Sequence, residues 1–438
     1  MKPVRIGLIG LGTVGGGTVN VLARNSEEIA RRAGRQITVT HAAVRNLSGA
    51  RICDVSGLEL STDAASVATH PDVDVVVELM GGTDEARDLV LQAIACGKHV
   101  VTANKALIAL HGNEIFAAAQ AHGVTVAFEA AVAGGIPIIK AIREGLAGNR
   151  IDWLAGIING TGNFILTAMR EQGRDFDDVL REAQALGYAE SDPTFDVEGI
   201  DAAHKLAILG SIAFGMPLEF ERLTIEGISA ITPLDIEYAE ELGYRIKHLG
   251  IARRRADGVE LRVHPTLIPA RCLLANVNGV MNAVLVQGDA VGATLYYGAG
   301  AGAEATASAV IADLVDIVRA LTTDPGNRVP HLAFQPDALT DVAVLPSSEI
   351  ESAYYLRMTV EDAPGVLASV ARILADSGIS IEAVVQKEPA HGATRVSLIM
   401  LTHRVREGLI NDAIARIEAS DYIENTIMRM RVETLDGA

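Results

Sequence analysis

Three ionisable residues within one short stretch have the types and spacing for acid–base chemistry. Glu190, Asp201 and Lys205 lie in a segment that is otherwise small and apolar. Asp201 and Lys205 are four residues apart, so on a helix they project from one face, one turn from each other. A lysine beside carboxylates in a partly dry pocket can pass a proton or bind an amino-acid zwitterion. The alternative is a solvated ion pair, which this spacing alone favours.

A glycine-rich loop near the N-terminus follows an apolar strand, predicted at 4–9, and precedes a helix, predicted at 18–24. Gly10, Gly12 and Gly15 form the pattern GxGxxG. Gly10 permits a tight turn, Gly12 lets the backbone approach a pyrophosphate, and Gly15 lets the helix pack on the strand. The helix N-terminus offers N–H groups to the phosphates. We therefore predict a dinucleotide-binding domain, rather than a glycine turn that only packs.

Arginines follow the second predicted strand, at 37–44, where an NAD-specific enzyme would carry an acidic residue. No Asp or Glu lies between Glu28 and Asp54, whereas Arg45 is at the strand end and Arg51 is close behind. A carboxylate there accepts a hydrogen bond from the ribose 2′-hydroxyl, and a cation accommodates a 2′-phosphate. The sequence thus predicts that NADP is used at least as well as NAD.

Strands and helices alternate to about residue 130, which predicts a doubly wound parallel sheet of the Rossmann type. The strand predicted at 98–102 runs into Ala103, Asn104 and Lys105, at the ligand-binding edge of such a sheet. Lys105 would therefore lie near the nicotinamide. From position alone, a functional lysine and a surface charge are equally good interpretations.

Small residues and polar turns mark the middle of the chain. The segment 129–137 surrounds Glu129 with small residues, and its carbonyls with that carboxylate could bind a hard cation, or form only a hinge. Alternating segments beyond residue 217 predict a second sheet that also forms the subunit interface. The Gly- and Ala-rich segment at 298–303 precedes a helix predicted from about Thr306 to Leu321. This segment either brings Gly302 against a cofactor or is a hinge returning the chain to the first domain.

The C-terminal part of the sequence, from residue 351, is predicted to form a separate module, which follows a linker rich in Pro and Asp. Its predicted order is βαββαβ, and Asp362-Ala363-Pro364-Gly365 joins the first strand to the first helix. This pattern resembles an ACT domain, whose loop of the same signature binds amino acids. The alternative is a module that only dimerises.

Composition excludes several classes of partner. The net charge of −18 and the pI near 5.1 argue against nucleic acid and against anionic membranes. The three cysteines form no CxxC, as expected in a reducing cytoplasm, and the strand and glycine loop leave no room for a signal peptide. No apolar run approaches the roughly 20 residues of a membrane helix.

Taken together, these motifs closely resemble the homoserine dehydrogenase family over about residues 4–321. The matching pieces are the glycine loop at 10–17, Thr102 to Lys105, 129–137, Asn159-Gly160-Thr161 with 163–166, 187–193 with Asp196, 199–205, and 297–308. The resemblance implies a reversible NAD(P)H-dependent reduction of L-aspartate 4-semialdehyde to L-homoserine, in threonine, methionine and isoleucine biosynthesis. The resemblance of the tail to an ACT domain implies feedback control with L-threonine as effector. We expect a cytoplasmic homodimer or homotetramer. Because the glycine loop begins at residue 10, we expect no aspartate kinase domain before it.

The resemblance assigns roles residue by residue. It implies Lys205 and Lys105 as the acid/base pair. The implied substrate residues are Glu190, Asp201, Gly187, Asn159 and Thr161. The implied cofactor residues are Gly10, Gly12, Thr13, Val14, Gly15, Arg45, Arg51, Lys105 and Gly302. The implied sodium ligands are Glu129 and the carbonyls of Val132, Gly134 and Ile136, and the implied effector residues are Asp362, Gly365 and Val366.

The expected domains are a nucleotide-binding domain (1–130, with the chain returning at 299–321), a substrate and dimerisation domain (131–298), a linker (322–350) and an ACT domain (351–434). Two rival functions are weaker. Aspartate-semialdehyde dehydrogenase chemistry needs a nucleophilic cysteine beside a base, and no cysteine here has that setting. A non-catalytic sensor of NAD(P) and amino acids would not need Lys105, Glu190, Asp201 and Lys205 together.

Overall fold

The computed structural model describes residues 2–321, 328–388 and 394–435. The first part of the predicted linker, 322–327, and part of the predicted ACT domain, 389–393, lie outside the described residues. The chain packs as two compact units. The first contains residues 1–160, 201–223 and 280–342, and the second contains residues 161–200, 224–279 and 343–438.

The N-terminal part alternates strands and helices. Its elements are β1 (Val4–Ile9), α1 (Thr13–Arg24), α2 (Ser26–Ala33), β2 (Ile37–Ala43), β3 (Glu59–Ser61), α3 (Ala64–Ala68), β4 (Val75–Glu78), α4 (Asp84–Ala95), β5 (His99–Thr102), α5 (Lys105–Ala121), β6 (Val126–Ala127), α6 (Ile138–Lys140) and β7 (Ile151–Ile157).

The middle of the chain begins with helices and continues with long strands. Its elements are α7 (Gly160–Gln172), α8 (Phe176–Ala185), α9 (Thr194–Val197), α10 (Ile200–Phe214), β8 (Thr224–Ile225), α11 (Pro233–Glu241), β9 (Tyr244–Arg254), β10 (Val259–Pro269), β11 (Met281–Gly288), β12 (Gly292–Ala299) and α12 (Ala303–Ala320). The tail consists of β13 (Glu351–Glu361), α13 (Val366–Asp376), β14 (Ile381–Gln386), β15 (Arg395–Thr402), β16 (Val405–Arg406), α14 (Glu407–Glu418) and β17 (Ile423–Val432).

The first unit contains a six-stranded parallel sheet in the order β3-β2-β1-β4-β5-β6. Its central strands are near-continuous apolar runs because helices cover both faces. The strand order reverses between β1 and β4, and ligands bind in the crevice at that point in such sheets. The predicted Rossmann-type domain is confirmed. The same unit contains the antiparallel set β12-β11-β7.

Helix α12 packs against α1, so the chain returns to the nucleotide-binding sheet. A Cβ added to Gly17 would lie 2.5 Å from the carbonyl oxygen of Ala303, which shows how closely the two helices approach. Arg24 on α1 donates two hydrogen bonds to Glu304 on α12, at 2.8 and 2.9 Å. Buried side chains of α12 join the core beneath β1.

The second unit is built on a mixed sheet. Strand β10 pairs antiparallel with β9 and parallel with β17, and β17, β13, β15 and β14 continue in antiparallel order. The predicted βαββαβ order of the tail is confirmed. Tyr354 and its alternate neighbours on β13 pack against α13 and α14. Tyr355, on the opposite face, packs in one core with α7, α8 and α11.

Helices α1 and α12 begin earlier than the sequence pattern predicts. Helix α1 starts at Thr13 rather than near Thr18, and α12 starts at Ala303 rather than Thr306. Glycine has low helix propensity, so the glycines of α1 hide its first turn from a pattern-based prediction. Within the described residues, no helix is both long enough and apolar enough to cross a membrane.

Candidate active site

Asp201 is a buried carboxylate on the first turn of α10, only 4% exposed. Lys205, one turn later, donates from Nζ to Asp201 Oδ2 at 2.7 Å and to the carbonyl oxygen of Ile158 at 2.8 Å. The Lys205 side chain is 12% exposed. The pair is therefore largely removed from water, and the alternative of a solvated ion pair is excluded.

A second lysine reaches the same carboxylate from the edge of the parallel sheet. Lys105 opens α5 directly after β5, and its Nζ lies 3.1 Å from Asp201 Oδ1. The side-chain amide of Asn159 donates to Asp201 Oδ2 at 2.8 Å. The structure thus gathers Lys105, Asn159, Asp201 and Lys205 into one cluster within the first unit.

The charges in this cluster support one another. Burial alone would raise the pKa of Asp201, but attraction to Lys205 and Lys105 lowers it to about 2, so the carboxylate is ionised at neutral pH. Burial lowers the pKa of the neighbouring His204 to about 4, and Lys105 adds to that effect. At neutral pH this histidine is uncharged, so the positive charges of the cluster belong to the two lysines.

The glycine loop has the geometry of a pyrophosphate site. Gly10 has φ +97°, and a Cβ there would lie 2.6 Å from the carbonyl oxygen of Leu79. A Cβ on Gly15 would lie 2.2 Å from the carbonyl oxygen of Gly10, whereas a Cβ on Gly12 would meet no atom within 4 Å. Space is therefore open at the N-terminus of α1, where Thr13 and Val14 begin the helix. Backbone N–H groups there can receive phosphate oxygens.

Two arginines follow β2, as the sequence predicts. Arg45 is exposed two residues after the strand ends at Ala43. Arg51 donates from Nη2 to the carbonyl oxygen of Asn46, which ties down the intervening loop. The structure places both cations beyond the strand whose end binds the adenosine ribose in dinucleotide-binding folds.

Glu129 lies in a buried loop that contacts the loop before α12. Its carboxylate accepts hydrogen bonds from the N–H groups of Ile139 at 2.9 Å and Lys140 at 2.8 Å. Its own N–H donates to Asp313 Oδ2 at 2.8 Å. Burial raises the pKa of Glu129 to about 7. Burial, with the nearby Glu129, raises the pKa of Asp313 to about 8.

The loops at 129–137 and 298–303 contact each other within the first unit. Gly135 donates from its N–H to the carbonyl oxygen of Ala299 at 2.9 Å. A Cβ on Gly134 would lie 2.8 Å from the carbonyl oxygen of Gly300. Gly302 precedes α12 with φ +128°, a conformation that favours glycine. Among the described residues, no cluster of three or more His, Cys, Asp or Glu side chains is placed to hold a metal ion.

The other expected substrate residues belong to the second unit. Gly187, with φ +75°, ends the turn after α8, and Glu190 is exposed in the segment that follows. The Thr161 hydroxyl donates to the carbonyl oxygen of Tyr188 at 2.7 Å, so Thr161 holds this segment by its backbone. Gln184 holds it from the other side by donating to the carbonyl oxygen of Glu190 at 3.1 Å.

Comparisons with known proteins agree over the whole chain. Three family models match: the NAD-binding domain of homoserine dehydrogenase (residues 10–129), homoserine dehydrogenase (137–315) and the ACT domain (354–420). The homoserine dehydrogenase of Pseudomonas aeruginosa is 66% identical over 436 residues, covering 100% of both chains. That of Neisseria gonorrhoeae is 57% identical, covering 99% of this chain and 100% of its own.

The chain belongs to the homoserine dehydrogenase family.

Solved structures of the family agree with this assignment. A homoserine dehydrogenase from Thiobacillus denitrificans is 65% identical, with TM-score 0.95, covering 100% of this chain and 99% of its own. A hyperthermophilic archaeal homoserine dehydrogenase in complex with NADPH is 27% identical, with TM-score 0.62, covering 72% of this chain and 98% of its own. The chain is therefore an NAD(P)-dependent oxidoreductase with a C-terminal ACT domain, and its ligands are small molecules.

The ACT loop lies between β13 and α13. Gly365 has φ +97° and immediately precedes α13, whose first residue, Val366, is buried. The N–H of Asp362 donates to the carbonyl oxygen of Thr394 at 2.9 Å, and its carboxylate accepts from Gln386 at 3.4 Å. The expected effector residues therefore lie together at one end of the ACT sheet.

Sequence reasoning missed the residues that support the site. Glu78 and Thr102 end β4 and β5 and share a hydrogen bond of 2.6 Å directly before the Lys105 loop. An acidic residue and a threonine at neighbouring strand ends were visible signals for this pair. No sequence pattern pointed to Asp313, because its hydrogen bond with Glu129 depends on how α12 packs.

Proposed function

We propose that this member of the homoserine dehydrogenase family catalyses the reversible NAD(P)H-dependent reduction of L-aspartate 4-semialdehyde to L-homoserine. The proposal rests on one observation, that Lys105 and Lys205 both contact the buried carboxylate of Asp201. The distances from Nζ to the carboxylate oxygens are 3.1 Å for Lys105 and 2.7 Å for Lys205. Such an arrangement would let two ammonium groups stabilise the negative charge that develops on a substrate oxygen. The product is a precursor for threonine, methionine and isoleucine.

The lysines supply the proton and the electrostatic stabilisation. The cofactor, when bound, supplies or accepts the hydride. Asp201 and Ile158 accept two of the hydrogens of the Lys205 ammonium, and the third can be donated to the aldehyde oxygen. As that oxygen gains negative charge, the preorganised ammonium stabilises it and donates a proton. Lys105 adds a second positive charge, and in the reverse direction the member of the lysine pair that is a neutral amine accepts the hydroxyl proton while the hydride passes to the oxidised cofactor.

The remaining substrate residues would bind the amino-acid end. We propose Glu190, Asp201 and Gly187 as substrate residues, because the two carboxylates are suited to an α-ammonium group. Asn159 orients Asp201, and Thr161 positions the segment that carries Glu190. Replacing Glu190 with Gln should raise the KM for homoserine more than it lowers kcat, and an unchanged KM would remove it from the site.

The cofactor residues would be those of the glycine loop, namely Gly10, Gly12, Thr13, Val14 and Gly15, together with Lys105 and Gly302. We propose that NADP is used at least as well as NAD, because Arg45 and Arg51 follow β2 and no acidic residue does.

A sodium ion is proposed at Glu129, with the carbonyl oxygens of Val132, Gly134 and Ile136. Oxygen ligands with one carboxylate suit a hard cation. The N–H of Glu129 donates to the Asp313 carboxylate, so two buried acids lie close together at this loop, and a cation would supply positive charge beside them. Isothermal titration with NaCl against KCl tests this, and equal, featureless titrations would remove the proposal.

We propose that L-threonine binds the ACT loop at Asp362, Gly365 and Val366 and inhibits the enzyme. Gly365 has a positive φ and directly precedes α13, whose N-terminal N–H groups suit the carboxylate of an amino acid, while the Asp362 carboxylate suits its ammonium group. If Gly365→Val abolishes threonine inhibition and leaves kcat intact, this site is supported. A wild-type enzyme indifferent to threonine favours a module that only dimerises.

The protein is proposed to be a cytoplasmic homodimer or homotetramer. The edge strand β12 carries Tyr297, which is 58% exposed, and β12 belongs to the part of the chain predicted to form the subunit interface. Sedimentation equilibrium would separate the two states, and a monomer at micromolar concentration would contradict both.

Absorbance at 340 nm with L-homoserine and either NADP+ or NAD+ tests the proposed reaction. L-Serine, which lacks one methylene, is the matched control substrate. We expect turnover with homoserine to exceed turnover with serine by at least about tenfold, because the shorter serine would hold its hydroxyl-bearing carbon away from the reacting position. Tight NADPH binding without turnover on homoserine would instead favour a non-catalytic sensor.

A further inference from the structure

A fully buried carboxyl group lies beneath the loop that carries Lys105. Glu78 is the last residue of β4 and has no exposed surface. Its Oε2 accepts a hydrogen bond from the Thr102 hydroxyl at 2.6 Å, and its Oε1 accepts from the N–H groups of Met80 at 2.9 Å and Gly81 at 3.3 Å. One carboxyl group therefore joins the end of β5 to the loop after β4.

The same connection continues to the lysine loop. The Thr102 oxygen accepts from the N–H of Asn104 at 2.9 Å. The Asn104 side chain accepts from the N–H of Leu107 at 3.1 Å, which caps α5, and donates to the carbonyl oxygen of Gly82 at 2.6 Å. Lys105 is the next residue, so both its backbone position and the start of its helix are fixed by this bridge.

We propose that the Glu78–Thr102–Asn104 bridge positions Lys105 on Asp201, making Glu78 and Thr102 positioning residues for the reduction. This inference rests on the proposed function, because it assigns the bridge to the lysine pair of that reaction. The bridge contacts neither Asp201 nor Lys205 in the described hydrogen bonds. Its effect is carried by the backbone of residues 103–105.

The chemistry of the bridge explains why it must be intact. A carboxyl group without water contact is costly unless its oxygens are satisfied, and here three donors meet the two oxygens. Removing the Thr102 hydroxyl leaves a Glu78 oxygen and the Asn104 N–H without their partner. We expect the loop to move so that these groups can find other hydrogen-bond partners. A displacement of about 1 Å at a reacting group can lower the rate up to about a hundredfold.

Two substitutions at Thr102 test the bridge, and in the first of them valine has nearly the same volume as threonine. Thr102→Val removes the hydroxyl, and Thr102→Ser restores it. Thr40→Val is the control, because Thr40 is on β2 of the same sheet and its hydroxyl contacts Ile6 and His41 rather than this bridge. We expect Thr102→Val to lower kcat about tenfold or more. We expect Thr102→Ser to recover most of it and Thr40→Val to retain it.

Three further measurements separate positioning from general damage. Thermal melting identifies variants that are simply destabilised, and NADPH fluorescence gives the cofactor Kd. The kinetic isotope effect on kcat with deuterated NADPH should increase in Thr102→Val, because a misplaced lysine slows the chemical step. Glu78→Gln combined with Thr102→Val should lose little more activity than either change alone.

The outcomes distinguish this inference from the proposed function. A wild-type enzyme without homoserine turnover would overturn the proposed function itself. A wild-type enzyme that turns over, loses activity in Lys105→Ala, and is unaffected by Thr102→Val would overturn only the bridge. A Thr102→Val variant that loses NADPH affinity while kcat is unchanged would also overturn it, since the bridge would then serve cofactor binding.

Discussion

Asp201 determines what the two lysines can do. Its pKa of about 2 keeps the carboxylate ionised throughout the physiological range. This ionised carboxylate contacts both Nζ atoms, at 3.1 Å from Lys105 and 2.7 Å from Lys205. In the reaction proposed above, two positive charges held by this carboxylate would face the developing alkoxide, and neither would have to be moved into place.

Arg45 tests the cofactor preference at the level of one side chain. Arg45→Glu should weaken NADPH binding by about ten- to a hundredfold, the value of one or two charge-assisted hydrogen bonds, and should affect NADH much less. Fluorescence titration with both cofactors measures this. Arg31→Glu, an exposed change of the same charge on α2, is the control. Equal losses for NADPH and NADH would contradict the assignment.

Some residue-level contacts could be predicted and others could not. The meeting of Asp201 with Lys205 follows from their spacing on one helix face. The meeting of Lys105 with Asp201 depends on the packing of α10 beside the parallel sheet, and no local pattern encodes it. The contact of Glu78 with Thr102 could have been predicted, because the two residues end neighbouring strands of the parallel sheet.

At the level of elements, the sequence was most informative where periodicity was strong. The apolar strands β1 and β4 and the glycine loop predicted a parallel sheet of the observed type. Helix starts were less predictable, because α1 begins inside the glycine loop and α12 begins directly after Gly302. Glycines lower the helical signal where close packing or a ligand requires them.

Two glycine substitutions at the start of α1 separate cofactor approach from helix packing. A methyl group on Gly12 meets no protein atom, so Gly12→Ala should leave the melting temperature nearly unchanged and lower NADPH affinity about tenfold. A methyl group on Gly15 would strike the Gly10 carbonyl at 2.2 Å, so Gly15→Ala should also cost about 1–3 kcal/mol of stability. Calorimetry and fluorescence titration measure both. Equal melting losses in the two variants would contradict this division.

At the level of the whole molecule, the ACT module shares its interior with the rest of the second unit. Tyr355, Ile399 and Met430 pack in one core with residues of α7, α8 and α11. Glu433, just after β17, pairs with Arg262 of β10 at 2.6 Å and Arg253 of β9 at 2.9 Å. The separate tail expected from the sequence thus has a common core and buried ion pairs that local patterns do not reveal. Deleting residues 351–438 would expose that core, so point substitutions are the better test of regulation.

Glu433 predicts how the stability of the protein responds to acid. The buried arginines lower its pKa to about 2, despite the opposing effect of burial. Glu433 therefore contributes its full stabilisation of the folded state above about pH 4.5, which is the pKa of a glutamate in the unfolded chain. This stabilisation is lost as the pH falls toward 2. Glu433→Gln should cost about 3–5 kcal/mol at pH 7, because Arg262 has no exposed surface.

The matched control is Glu424→Gln, which breaks a half-exposed pair with Arg395. That change should lower the free energy of unfolding by no more than about 1 kcal/mol. Urea unfolding at pH 7 and pH 4 measures both variants. The wild type should lose more stability on acidification than Glu433→Gln, and parallel losses in the two proteins would contradict the assigned pKa.

The most direct test of the account is the turnover of Lys205→Ala with L-homoserine and NADP+, followed at 340 nm. The control variant is Lys387→Ala, which removes a lysine of the ACT domain that pairs with Glu237 and Glu241 on the surface. We expect Lys205→Ala to lose about a hundredfold or more in kcat while its Kd for NADPH stays within about twofold. A kcat within a few-fold of the wild type would show that another group donates the proton.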